Sequence, residues 1–162
     1  MQRLGRELVD YLDALLEGMG RTERRAAMRN YVKGLLLDGD RKSVEPMAAR
    51  LVDNPAEVEA MRQRLLGCVA EANWSDAEMF RRLAVRFERE LPGIEALVVD
   101  DTGHPKKGEH SVGVQRQYSG TLGRVDNCQV ATSLHLAGEG TSGCIGFGLF
   151  LPETWAADPE RR

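Results

Sequence analysis

Cysteine is scarce. Cys68, Cys128 and Cys144 are the 3 in 162 residues, an odd number, widely spaced, with no C-x-x-C pair and no histidine set nearby. That pattern argues against a structural zinc site and against a disulfide framework, and it reads as small buried thiols in a reduced compartment. Long apolar runs are missing too: nothing approaches the roughly 18 to 20 residues that a membrane-spanning helix needs. The opening MQRLGRELVDYLDALLEGMG scatters its charges through an apolar pattern, where a cleaved signal peptide would place them ahead of a short apolar block. These absences predict a cytoplasmic protein with no membrane partner. Charge of one sign is not in excess either. With Lys+Arg 22 against Asp+Glu 25 the formal net charge is -3, so composition alone makes no case for nucleic acid. Internal repeats and low-complexity segments are absent.

What remains is a chain with 42% hydrophobic and 29% charged residues, the balance of a soluble globular protein. Arginines gather before Pro92, at Arg21, Arg24, Arg25 and Arg29 and again at Arg81, Arg82, Arg86 and Arg89, but acids there match them. Such mixtures read as salt-bridged, solvated helix faces before they read as a DNA patch.

The first ninety or so residues carry helical periodicity. Leu4, Leu8, Tyr11, Leu12, Leu15, Leu16 and Met19 recur at three- and four-residue steps and stop at a glycine pair, Gly18 and Gly20. Met28, Tyr31, Val32, Leu35 and Leu36 form a second stripe that ends at Asp38-Gly39-Asp40. Val44, Met47, Ala48 and Leu51 predict a short third helix with Pro46 in its first turn. Asn54 followed by Pro55 reads as a cap and first helical residue ahead of Val58, Met61, Leu65 and Val69. Ser75 with Glu78 forms a capping box before Met79, Phe80, Leu83, Ala84 and Phe87, and Leu91-Pro92-Gly93 ends that helix.

Beyond Gly93 the period changes to two. EALVVDD, residues 95–101, predicts a buried strand that ends in two acids. A short extended piece is expected near Val112, Val114 and Tyr118. Residues 127–137 alternate Cys128, Val130, Thr132, Leu134 and Leu136 against Gln129, Ala131, Ser133, His135 and Ala137. Gly138-Glu139-Gly140 reads as a hairpin turn into a returning strand with Ile145, Phe147, Leu149 and Leu151, which Pro152 stops. Gly113, Gly120 and Gly123 read as turn positions, and Trp74 and Trp155 as packing anchors.

The chemistry-bearing stretch is VVDDTGHPKKGEHSVGVQRQYSGTLGRVDNCQV, residues 98–130. Adjacent strand residues point to opposite faces, so at most one of Asp100 and Asp101 faces a given cation. An acid pair that only ends a strand and opens a turn is the competing explanation. Lys106 and Lys107 could neutralise DNA phosphates or form a solvated loop. His104 and His110 could be ligands or substrate contacts, or simply bond backbone in a turn. Arg116, with Gln117 and Tyr118, could contact DNA, or Arg116 could pair with the strand-end acids.

This stretch resembles the insertion-sequence transposases of the DDE superfamily, in the group where DDTG is followed by PKKG, HSVGV, RQY and NCQV. YVKGLLLDGDRKSVEPMA, residues 31–48, resembles that group's helical leader, and LFLPETWAADPERR resembles the end of its next hairpin. The resemblance implies an α+β fold, with a helical N-terminal region over residues 1–92 followed by the first, mainly antiparallel strands of a ribonuclease-H-like catalytic domain over residues 93–162. It implies that Asp101, with Asp100 as the alternative, is the first catalytic and metal-binding acid. DNA contacts are expected at Lys106, Lys107, His110 and Arg116, and the resemblance implies Mg²⁺ or Mn²⁺ as cofactor. The family uses two Mg²⁺ ions, three acids and DNA ends of the mobile element as substrate. After Asp101 the remaining acids, Glu109, Asp126, Glu139, Glu153, Asp158 and Glu160, fall in no block like the family's second Asp or its Glu. The expectation is therefore an N-terminal portion of a bacterial, nucleoid-associated transposase, inactive alone, partnered by DNA, by further copies of itself or by full-length enzyme. The alternative is a transposase-derived regulator that binds DNA without cutting it.

Overall fold

The computed structural model describes residues 2–160, with side chains from Gly5 onward. Met1, Arg161 and Arg162 lie outside the described residues, as does the side chain of Leu4, first in the predicted N-terminal stripe. The chain divides into two compact units between Met79 and Phe80.

The first unit is helical: α1 (Gln2–Leu16), α2 (Thr22–Leu36), α3 (Val44–Leu51), a single 3₁₀ turn (Pro55–Glu57), α4 (Val58–Ala70) and the start of α5 (Asp76–Glu90). The α1 stripe is buried at Leu12, Leu15 and Leu16 and continues into Met19. Glycines at φ 70° (Gly18) and 85° (Gly20) then turn the chain, a conformation that costs glycine no Cβ clash. The tightest packing joins Met47, Ala48, Met61 and Leu65, with Tyr31, Val44, Leu51, Val52 and Val58 around them. Each large side chain so buried contributes about 1.5–3 kcal/mol. Asn54 caps as expected, its side chain accepting from the Ala56 N–H at 3.0 Å, and Ser75 Oγ accepts from the Glu78 N–H at 3.2 Å.

The second helix keeps Tyr31 of its predicted face against the core but departs from that face at its C-terminal end. Leu35 and Leu36 are exposed, and α2 is buried instead at Ala27 and Gly34. A Cβ on Gly34 would stand 3.2 Å from Met47 Cβ and 3.3 Å from Leu51 Cδ1, so the missing side chain is what lets α3 approach. Close approach through a small residue here outweighs the burial of two leucines.

The second unit holds most of α5 and a four-stranded antiparallel sheet: β1 (Ile94–Pro105), β2 (Gln115–Ser119), β3 (Arg124–Gly138) and β4 (Thr141–Leu149), followed by the short α6 (Glu153–Ala156). Strand β3 is central. Cys128 pairs with Pro105 on one side and Gln115 on the other, while residues 131–138 pair with both β1 and β4. So β1 lines one edge of β3, and β2 and β4 follow each other along the opposite edge. The architecture is α+β, consistent with the opening strands of a ribonuclease-H-like fold.

One boundary differs from expectation in a way that matters for the site. The predicted strand ended at Asp101, but β1 runs on through Thr102, Gly103, His104 and Pro105. The long β3 keeps pairing with it down to Cys128, so interstrand hydrogen bonds carry a Gly- and Pro-containing segment that has little strand preference of its own. The acid pair is therefore within the strand and not at its end.

Candidate functional site

Register sorts the candidate side chains by face. Asp101 pairs with Thr132 and Gly103 with Val130, whereas Asp100 pairs with Ser133 and His104 with Gln129. Because directly opposed residues share a face, Asp101 shares one with Leu97, Val99, Thr132 and Leu134. Asp100 shares the other with His104, Gln129, Ser133 and His135.

The two carboxylates also differ in what they touch. Asp100 Oδ1 accepts from the Asp101 N–H at 2.9 Å, and Ser133 Oγ donates to the Asp100 carbonyl at 3.5 Å while lying 3.1 Å from His135 Nε2. Asp101 is exposed, and its carboxylate has no hydrogen-bonding or ionic partner among the described residues. No group of three or more His, Cys, Asp or Glu that could hold a metal ion occurs among the described residues. As a donor set, Asp101 fits one largely hydrated divalent ion and does not make a two-metal centre.

Lys106 and Lys107 follow β1, and both are exposed, as is His110. Five residues of strand place Lys106 about 17 Å from Asp101 along β1. That separation equals about five nucleotides at 3.4 Å of rise per phosphate. Arg116 is exposed on β2 opposite Asn127, on the face of Asp100. Of its two readings, pairing with the strand acids is not found: among the described residues it forms no ion pair, and its charge acts on Asp126. That carboxyl is held below the ordinary Asp range first by the Asn127 N–H, next by Arg124 and last by the field of Arg116.

The loop between β1 and β2 is held by side chains from β3, Asn127 and Gln129, to which sequence reasoning gave no role. Trp155, a buried anchor as expected, donates Nε1–H to the Val114 carbonyl at 2.9 Å. Gln117 Nε2 donates to the Cys128 carbonyl at 2.9 Å, tying β2 to β3 through a side chain as well as through the ladder. The available signal was compositional: Asn127 and Gln129 sit two apart in a strand, where Asn is depleted unless its amide has a partner.

An exposed carboxylate on a strand of an antiparallel sheet, preceded by a helical region and followed by a basic loop, is an arrangement suited to work on phosphodiesters. The family model described as DDE superfamily endonuclease matches residues 14–162, and the chain belongs to that family. Neither the curated proteins nor the solved structures contain a match to it. Membership brings DNA as the class of substrate and divalent metal as the general cofactor of the family. No helix among the described residues is long and apolar enough to cross a membrane.

Proposed function

We propose that this chain serves a DDE-type transposase that cleaves and joins DNA at the ends of an insertion sequence, with Asp101 as the first metal-binding acid and Lys106, Lys107, His110 and Arg116 as DNA contacts. The observation that carries the reading is the Asp101 carboxylate, exposed on a strand and free of any partner among the described residues, in a chain of the DDE endonuclease family. Asp100 is the weaker choice because its carboxylate is already engaged by backbone. Residues 1–92 are proposed as the helical region and 93–162 as catalytic-domain sequence. The metal is proposed as Mg²⁺ or Mn²⁺, and the macromolecular partners as element-end DNA, further copies of the chain and full-length transposase in a bacterial nucleoid.

A second reading, a DNA-binding regulator that occupies element ends without cutting, is favoured by one observation: no three-ligand metal group exists among the described residues. The two readings share DNA binding and differ in chemistry. Binding of labelled element-end duplex should fall steeply with salt, and Lys106→Gln with Lys107→Gln should lower the log–log salt slope by about 2. Absence of binding at low salt sinks both readings. Metal-dependent cleavage by the 162-residue chain would overturn the regulator reading.

A further inference from the structure

The segment between β1 and β2 carries exposed Lys106, Lys107 and His110, yet its backbone is held from beneath. Asn127 Nδ2 donates to the Lys106 carbonyl at 2.8 Å and to the Gly108 carbonyl at 3.0 Å, while the Lys106 N–H donates to the Asn127 carbonyl at 2.9 Å. Two residues further along β3, Gln129 Nε2 donates to the Val112 carbonyl at 2.6 Å. Within the segment itself the backbone bond is Val114 N–H to Ser111 O, at 3.0 Å. A primary amide has two protons to give, and those of Asn127 go to carbonyls two residues apart, which closes the chain around Lys107. The donors themselves are well placed to hold it, because Cys128 between them is fully buried and paired on both edges.

We propose that Asn127, supported by Gln129, is a positioning residue that holds the 106–112 loop in the shape in which Lys106 and Lys107 meet DNA phosphates. The inference rests on the DNA reading above and adds to it the device that pre-organises the contact. Lysine side chains are flexible, so a phosphate contact gains from a backbone that is ordered before binding. Asn127 does not itself meet DNA in this account, since both its protons are engaged by the loop. It carries no charge, so any change in salt slope on its replacement must pass through the lysines.

Two measurements on the full 162-residue chain test this. Limited trypsin digestion reads the loop directly. In Asn127→Ala, cleavage after Lys106 and Lys107 should rise by about tenfold, as expected from losing two hydrogen bonds, while cleavage after Lys33 and Lys42 stays as in wild type. Asn127→Asp, which turns an acceptor toward two carbonyls, should be at least as susceptible. Unchanged cleavage at the loop, or a uniform rise at all sites, overturns the inference. The second measurement is binding to a fluorescein-labelled random-sequence DNA duplex across a salt series. Asn127→Ala should bring the salt slope down toward that of the Lys106→Gln, Lys107→Gln double variant, by about 2 at most, and should add nothing in that background. Wild type that binds DNA with Asn127→Ala unchanged in slope overturns this inference alone. Wild type that binds no DNA overturns the DNA reading and this inference with it.

Discussion

Where β1 finishes, the sheet is packed: Val114, Ser119, Cys128, Val130 and Trp155 are buried, and Gly103 is buried among them. Where β1 begins, Leu97 and Val99 stand 65% and 67% exposed and Phe147 of β4 57% exposed. Strand β3 carries its period-two alternation through both regions. The difference teaches that alternation fixes which side chains share a face and is silent on whether that face is covered. The candidate carboxylate lies at the junction, with Asp101 on the open side of Gly103 and the clamped loop on the packed side.

Substitutions at the two ends should break this contrast into numbers. Trp155→Ala removes a buried ring and leaves the Val114 carbonyl without its side-chain donor, so a loss of about 3–5 kcal/mol is expected in urea unfolding. Gly103→Ala comes next. A Cβ there would lie 2.8 Å from Ser119 Cβ and 3.2 Å from Ser119 Cα, so β1 and β2 must separate, at about 1–3 kcal/mol. Adding Ser119→Gly should recover part of that loss. At the open end, Val99→Ala should change stability by no more than about 0.5 kcal/mol, and a loss as large as that of Gly103→Ala would show Val99 to be covered in solution.

The smallest effect is on acid stability and belongs to the helical unit. Glu59 is lowered to about 2, chiefly by its hydrogen bond with Arg62 and then by Gln63. A folded value below the unfolded one of about 4.3 stabilises above that pH, and the contribution is lost as pH falls through about 2. Glu59 is exposed, so screening keeps the contribution small. Glu59→Gln should leave stability at pH 7 nearly unchanged and flatten the acid limb of the stability curve between pH 4 and 2. An unchanged acid limb would remove Glu59 from the account.

Local signals carried much of this fold. The α1 stripe, the Asn54 and Ser75 caps, the hairpin glycines and the period of β3 each act within a few residues, and each is found where the chain predicted it. Signals that depend on distant partners were not legible. Gly34 and Ala27 look neutral in sequence, yet both are buried on α2, Gly34 because Met47 and Leu51 of another helix pack against it. The extension of β1 to Pro105 is imposed by β3, and the clamping role of Asn127 joins residues 19 and 21 positions apart. For the site, opposite-face placement of Asp100 and Asp101 followed from the pleat alone. Which carboxylate is engaged and which is free required the hydrogen bonds.

The claim on which the functional reading turns is that Asp101 is the residue that meets a divalent cation. Titrating Mn²⁺ into isotopically labelled protein and following paramagnetic broadening of the amide signals tests it without any catalytic readout. Weak binding is expected, since water supplies most of the ligands. The account predicts broadening centred on Asp101 and its neighbour across the ladder, Thr132, abolished by Asp101→Asn and retained in Asp100→Asn. Broadening that survives Asp101→Asn, or that centres on Asp100, Ser133 and His135 on the opposite face, would contradict it.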